Sequence, residues 1–371
     1  MGILEFLIPF IILLTVVVFI HEYGHYYFAR KYGVGVTDFS IGFGKELFGY
    51  NDKNGTRWKF CLIPLGGYVK FFGDRNVFSQ SETEELLKKY TTENQKKLFV
   101  TKPIYQRSLI VFGGPLANFI LAILIFTFIY MFSGKDFTPA TISKVEINSP
   151  AFESGLKRDD IIVSINNKKV ESITEVSTFI NTSTKNQIIV GIKRGDETID
   201  LTVIPKTITA QDAFGNQINK KVIGIQISPP SDGLNKERLG PAKALYYAFK
   251  ETYFVTEASL KFIGTLFVGK GDTSQLGGPI KIAKISGQVA QFGIIAFLSV
   301  MAYISISLGL INLFPIPLLD GGHLMFYAIE KVKGSPLTQK TQENFFRIGL
   351  FLLFSLMFFT TVNDLKDIGV F

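Results

Sequence analysis

The sequence predicts a multi-pass α-helical membrane protein with about four transmembrane helices, a membrane-associated β region and one inserted α+β domain. Three observations predict it. Apolar runs near residues 3–28, 108–132, 292–314 and 345–362 are each long enough to cross a hydrocarbon core of about 30 Å, which takes roughly 17–25 helical residues. Hydrophobic residues make up 47% of the 371-residue chain and charged residues only 19%, and the apolar content is concentrated in those runs. The chain between the second and third runs reads instead as short strands separated by turns.

Residues 1–32 form the first predicted span. It reads as a retained helix: no basic residue precedes the apolar run, Glu5 lies near its start, and no small-x-small site closes it. Residues 33–106 follow as the membrane-associated β region and a polar loop. VGVTDFSIGFGKELFGY and TRWKFCLIPLGGYVKFFG alternate Phe, Val and Ile with Gly, Asn and Asp, the pattern of short strands and hairpins. Residues 79–102 are rich in Glu, Lys and Thr and read as a surface helix or a solvated loop.

Residues 107–133 form the second span, whose portion 108–132 contains no Lys, Arg, Asp or Glu. Residues 136–230 carry the short runs TISKVEI, DDIIVSIN, NQIIVGIKR, ETIDLTVIP and KVIGIQIS, with one helix-like stretch, TEVSTFINTS. That is enough chain for a small independent domain. Residues 241–285 are amphipathic at helical spacing: Leu245, Phe249, Tyr253, Leu260, Ile263 and Phe267 share a side. A helix lying at the interface or packed on the spans fits this pattern, with a fifth crossing or a re-entrant helix as the alternative. Residues 290–323 form the third span and 343–364 the fourth.

Cys61 is the only cysteine, so an intrachain disulfide framework is excluded and a small buried hydrophobe is the expected role. The formal net charge is +8. With four apolar runs present, the lipid bilayer accounts for this basic balance and no nucleic-acid partner is called for. Four crossings put 29–107 and 315–344 on one side, flanked by Arg30, Lys31, Lys102, Arg107, Lys331, Lys333, Lys340 and Arg347. The positive-inside bias makes that side cytoplasmic.

The chemistry concentrates at His21-Glu22-Tyr23-Gly24-His25, inside the first span. On an α-helix, positions i and i+4 lie about 40° apart and about 6 Å along the axis. Both imidazoles can therefore reach one metal ion, while Glu22 projects to its side, placed to accept a proton from water. Polar groups facing lipid carry a large desolvation cost, so a structural role for these histidines is the weaker reading. A catalytic zinc usually takes three protein ligands. Asp320, in Asn312-Leu-Phe-Pro-Ile-Pro-Leu-Leu-Asp320-Gly-Gly-His323, is the candidate for the third. Two prolines interrupt that helix, and irregular backbone at membrane depth needs protein or a wet cavity around it. His323 is the poorer ligand candidate, with a supporting or surface role expected. A metal transporter or a scaffold with a structural metal would be the rival readings; Glu22 argues against the scaffold.

HEYGHYYFAR, FSIGFG, PLGGYVK, GGPLANF and NLFPIPLLDGGH, in that order, resemble the site-2 protease family of intramembrane zinc metalloproteases, and in detail its bacterial regulator-of-sigma-E protease branch. The resemblance implies Zn2+ held by His21, His25 and Asp320, with Glu22 as catalytic acid/base. It implies that Asn312 holds substrate or stabilises the oxyanion, and that Gly113, Gly114, Pro115 and Asn118 pack helices around the site. It further implies single-span membrane protein substrates, such as anti-sigma factors or signal-peptide remnants, cleaved in regulated intramembrane proteolysis. Residues 136–230 resemble a PDZ domain, with NSPAFESGLKRDDIIVSINN as its core stretch, expected to capture a peptide or substrate tail on the side opposite the active site. The best-known members of that branch carry two such domains, whereas 133–240 has room for one.

Overall fold

The computed structural model describes residues 3–74, 83–183, 185–211, 217–229, 233–269, 271–273 and 276–367; residues 79–82 of the polar stretch lie outside them. In chain order, α1 (Ile3–Lys31) is followed by β1 (Val36–Asn51), β2 (Arg57–Phe71), α2 (Thr83–Lys89), α3 (Thr92–Gln95) and α4 (Ile104–Phe132). Next come β3 (Lys135–Asp136), β4 (Ala140–Val145), α5 (Pro150–Glu153), β5 (Ile161–Ile165), β6 (Lys168–Lys169) and α6 (Ile173–Asn181). Then follow β7 (Ile188–Arg194), β8 (Glu197–Val203), β9 (Lys206–Gln211), β10 (Gln217–Val222), β11 (Ile225–Ile227) and β12 (Lys236–Glu237). The chain finishes in helices α7 (Pro241–Phe267), α8 (Pro279–Gln291), α9 (Ile294–Asn312), α10 (Asp320–Lys333) and α11 (Gln339–Asp367). Two compact units result, one from the chain up to Ile125 with Gly278–Val362, the other from Phe126–Gly277 with the residues from Asn363.

Among the described residues, four helices are long and apolar enough to cross a membrane: Leu4–Lys31, Ile104–Phe132, Ile294–Asn312 and Gln339–Asp367. Their outward faces suit lipid. On α11, Phe351 and Phe358 are 71% and 73% exposed, a surface that water would not tolerate as a contiguous patch. Helix α1 meets α4 with backbone nearly on backbone. A Cβ at Gly24 would collide with the Gly113 carbonyl and come within 2.8 Å of the Ala117 Cβ, so only the absence of side chains permits this approach.

The β region departs from the short strands expected. It is two long, bent strands of 16 and 15 residues. Gly42 and Gly44, at φ +87° and +86°, lie where the ladder breaks between Ile41 and Phe43 and between Phe43 and Glu46. The bends leave Asp38–Ile41 flanked by Gly67–Lys70 on one side and Arg57–Phe60 on the other. Phe39 is fully buried and stacks on Trp58 with ring centroids 4.2 Å apart, and Tyr26 of α1 meets Trp58 at 5.1 Å. This aromatic group seats the β region on the first span. Cys61 is buried as expected, with its Sγ 3.3 Å from the Ser40 Oγ. The polar stretch is not simply solvated: Leu86, Leu98 and Phe99 are buried, and Phe99 stacks on Phe71. A few apolar anchors in a charged run suffice to tie it down.

The third span also differs from the segment read over 290–323. Helix α9 stops at Asn312, and residues 313–319 form a non-helical connection before α10 begins at Asp320. Pro315 and Pro317 lack backbone N–H groups, so the helix cannot continue through them. Leu318 sits at φ +89°, a strained conformation for a leucine and of the kind that collects at functional sites.

In the second unit six of the described strands form an antiparallel sheet in the order β11-β4-β5-β7-β8, with β6 paired to β5, while β9 pairs with β10 and β3 with β12. Ile142, Ile162, Ile188, Val190, Ile192 and Val203 make its core, closed by Val176 and Ile180 of α6. Buried Asp160 receives two hydrogen bonds from the Arg194 guanidinium at 2.7 Å. Burial pushes the Asp160 carboxyl up, but Arg194 and the Lys157 N–H outweigh it and hold it below the usual carboxylate range. Helix α7 turns Ala244, Ala248 and Thr252 inward and leaves Phe249, Tyr253 and Phe267 exposed. Lys250–Glu171 and Lys168–Glu257 ion pairs, each 2.5 Å, tie it within this unit.

Candidate metal centre and active site

His21 and His25 lie one helical turn apart on α1, 7% and 8% exposed. Their Nε2 atoms are 3.2 Å apart. The His25 Nδ1 is 2.9 Å from the Ile110 carbonyl oxygen. A carbonyl only accepts, so Nδ1 carries the proton and Nε2 keeps its lone pair. Asp320, at the start of α10, brings Oδ2 to 3.2 Å from the His21 Nε2 and Oδ1 to 3.5 Å from the His25 Nε2. These three residues form a group able to hold one metal ion.

The donor set fits zinc on three counts. Ligand atoms bonded tetrahedrally at 2.0–2.1 Å stand about 3.3 Å from one another, close to the 3.2–3.5 Å separations here. The Asp320 Oδ2 is buried without a hydrogen-bond donor, which is costly unless a cation faces it. Finally, Gly114 of α4 leaves open the volume in front of both rings: a Cβ there would meet the Nε2 atoms of His21 and His25.

All five residues singled out from the sequence line one cavity of about 650 Å3: His21, Glu22, His25, Asn312 and Asp320. Glu22 follows His21 on α1 and faces the β region, where a Cβ at Gly67 would lie 2.9 Å from its Cγ. The outer strand thus runs directly past this carboxylate. Gly66, Gly67, Tyr68, Val69 and Phe71 of β2 line the same cavity. His323 lines it as well, its ring 5.6 Å from that of Phe346, so a purely surface position is excluded.

The sequence reading gave Gly114 and Asn118 only a helix-packing role around the site, and gave Asp74 none. Gly113 does pack helices, but Gly114 and Asn118 face the histidines, Asn118 through an amide nitrogen placed 3.2 Å from the His21 Nδ1. Their i, i+4 spacing was the available signal, since it puts both on one helix face. Asp74, just beyond β2, also lines the cavity. Burial raises its carboxyl to about 7, against the opposing effects of the Phe71 N–H and Lys70.

Comparison with known proteins gives the family of the chain. Residues 9–356 match the model of Peptidase family M50. A relative in Agrobacterium fabrum, named "Putative zinc metalloprotease", is 40% identical over 98% of this chain and 96% of its own. Metalloprotease MmpA of Caulobacter vibrioides is 34% identical over 100% of this chain and 98% of its own. Among solved structures, the PDZ domain of the SdrC-like protein from Listeria monocytogenes matches 25% of this chain and 90% of its own, at 20% identity and a TM-score of 0.20. With the family match running from the first span into the last, and with His21, His25 and Asp320 able to hold a metal ion, the chain belongs to Peptidase family M50, the site-2 protease family of membrane metalloproteases.

Proposed function

We propose that this protein is an intramembrane zinc metalloprotease that hydrolyses peptide bonds within or near the transmembrane segment of single-span membrane proteins, in regulated intramembrane proteolysis. The observation that carries the reading is the single cavity shared by His21, Glu22, His25, Asn312, Asp320 and the outer strand Gly66–Phe71. In it, His21, His25 and Asp320 would hold Zn2+. When bound, that ion supplies Lewis-acid activation of water and of the scissile carbonyl.

The chain's own groups do the rest. Glu22 takes a proton from the attacking water and delivers one to the leaving amine as the C–N bond breaks. Asn312 donates from its amide to the substrate carbonyl oxygen as negative charge gathers there. A substrate helix hides its carbonyls in its own hydrogen bonds, so it must unwind before it is cut. The outer strand supports this step. Gly67–Lys70 pairs with Asp38–Ile41 on one side only among the described residues, which leaves backbone groups on the other side to hold an extended peptide. The positive-inside bias supports a cytoplasmic-facing site in a bacterial inner membrane, with the PDZ-like unit across the bilayer taking a substrate tail.

The test is cleavage of a tagged single-span protein by the purified enzyme in detergent, wild type against Glu22→Gln. Cleavage inside the span by wild type alone, with zinc content equal in both, supports the reading. Equal cleavage by both proteins refutes it.

A further inference from the structure

Asn118 is fully buried on α4, one turn beyond Gly114. Its backbone oxygen accepts from the Ser305 Oγ at 2.9 Å, and a Cβ at Gly309 would lie 3.3 Å from its own Cβ. Helix α9 therefore holds this residue in place from the far side. Its amide is 3.2 Å from the His21 Nδ1, and with the nitrogen toward the ring its buried Oδ1 has no donor.

An amide has the same heavy-atom outline in either orientation, and the two orientations impose different imidazole tautomers. With the nitrogen toward the ring, Nδ1 must be a lone pair and the proton sits on Nε2. That proton would point at the spot where the His25 Nε2 and Asp320 converge, and His21 could not bind a metal there. With the oxygen toward the ring, Oδ1 gains the donor it lacks, Nδ1 carries the proton, and the Nε2 lone pair faces the same point as that of His25. The Ile110 carbonyl already imposes this tautomer on His25.

We propose that Asn118 is a positioning residue of the metal site, its side-chain oxygen accepting from the His21 Nδ1–H and so fixing the tautomer and ring orientation that present Nε2 to zinc. This rests on the metal site of the proposed function. Removing a partner of this kind costs 10–100-fold in metal affinity in comparable sites. Asp keeps an acceptor and has no amide donor, whereas Leu has similar bulk and neither.

The experiment is zinc affinity of the full chain in detergent, by competition with a chromophoric chelator, for wild type, Asn118→Asp and Asn118→Leu. The d–d absorption of Co2+-loaded protein is recorded as well. The expected result is Asn118→Leu weakened about 10–100-fold, with Asn118→Asp binding at least as tightly as wild type and keeping its cobalt spectrum. Wild-type affinity in Asn118→Leu overturns the proposal, as does an Asn118→Asp variant as weak as Asn118→Leu. If Asn118→Leu fails to fold, Asn118→Asp decides alone: zinc binding at least as tight as wild type with an unchanged cobalt spectrum is the expected result, and binding about 10-fold weaker or more overturns the proposal. Wild-type protein that takes up no zinc overturns the metal site itself.

Discussion

Replacing Gly114 with alanine sets helix stability and metal binding against each other. Alanine improves an interior helix position by about 1 kcal/mol over glycine, so the change should not harm the fold of α4. The added Cβ, however, would stand 2.8 Å from the His21 Nε2 and closer still to the His25 Nε2. Ordinary contact begins at 3.4 Å, so the His21 ring must retreat by 3.4 less 2.8, or about 0.6 Å, and the His25 ring by more. A metal site tolerates about 0.2 Å in its ligand distances. Two of three ligands would therefore be driven out of range, and zinc affinity should fall at least ~100-fold, which is about 2.8 kcal/mol. Purified Gly114→Ala in detergent would be assayed for zinc by chelator competition, and for thermal midpoint with the metal stripped from both proteins. The expected pair of results is weak zinc binding with an equal or higher metal-free midpoint. Zinc bound within about threefold of wild type would refute the placement of the ion between these rings.

Two further outcomes follow from polar groups around the cavity. The Arg107 guanidinium donates to both Glu330 oxygens at 3.1 and 2.6 Å and lies over the Tyr327 ring, tying α4 to the helix that begins with Asp320. Arg107→Ala leaves a mostly buried carboxylate unpaired and should cost roughly 3 kcal/mol, lowering the thermal midpoint by several degrees; a midpoint within about one degree of wild type would refute this. Asp74 gives a pH dependence. Its ordinary value near 3.8 is raised to about 7 by burial, so its contribution to stability is fully present below about pH 4 and is lost as pH rises through 7. Wild type should therefore lose up to ~4 kcal/mol relative to Asp74→Asn between pH 4 and 8, seen as diverging thermal midpoints; parallel midpoints would place the Asp74 carboxyl in water.

Local sequence patterns made much of the fold and the site legible. Four apolar runs announced four long helices, because only a helix satisfies its own backbone in lipid. His21 and His25 at i, i+4 are neighbours on any helix, so their convergence needed no tertiary knowledge. Asp320 was accessible for a related reason: an unneutralised carboxylate beside two prolines and two glycines is out of place in an apolar segment. The fine structure of the β region was not legible. One long strand broken at Gly42 and Gly44, with its long partner, read as several short ones, since strand length is decided by partners and bulges rather than by alternation. The buried Leu86, Leu98 and Phe99 were likewise hidden in a charged stretch whose average composition says solvent.

By itself the sequence determined the spans, the pair of histidines with Glu22 beside them, and the family motifs. These depend on residue type and on spacings within one helix. Only the tertiary structure decided what surrounds the histidines: Gly114 opening the volume before their rings, Ile110 and Asn118 at their Nδ1 atoms, and the Gly66–Phe71 strand beside Glu22. Each of these contacts joins segments far apart in the chain, and side-chain packing between separate helices and strands leaves no periodic mark on either one.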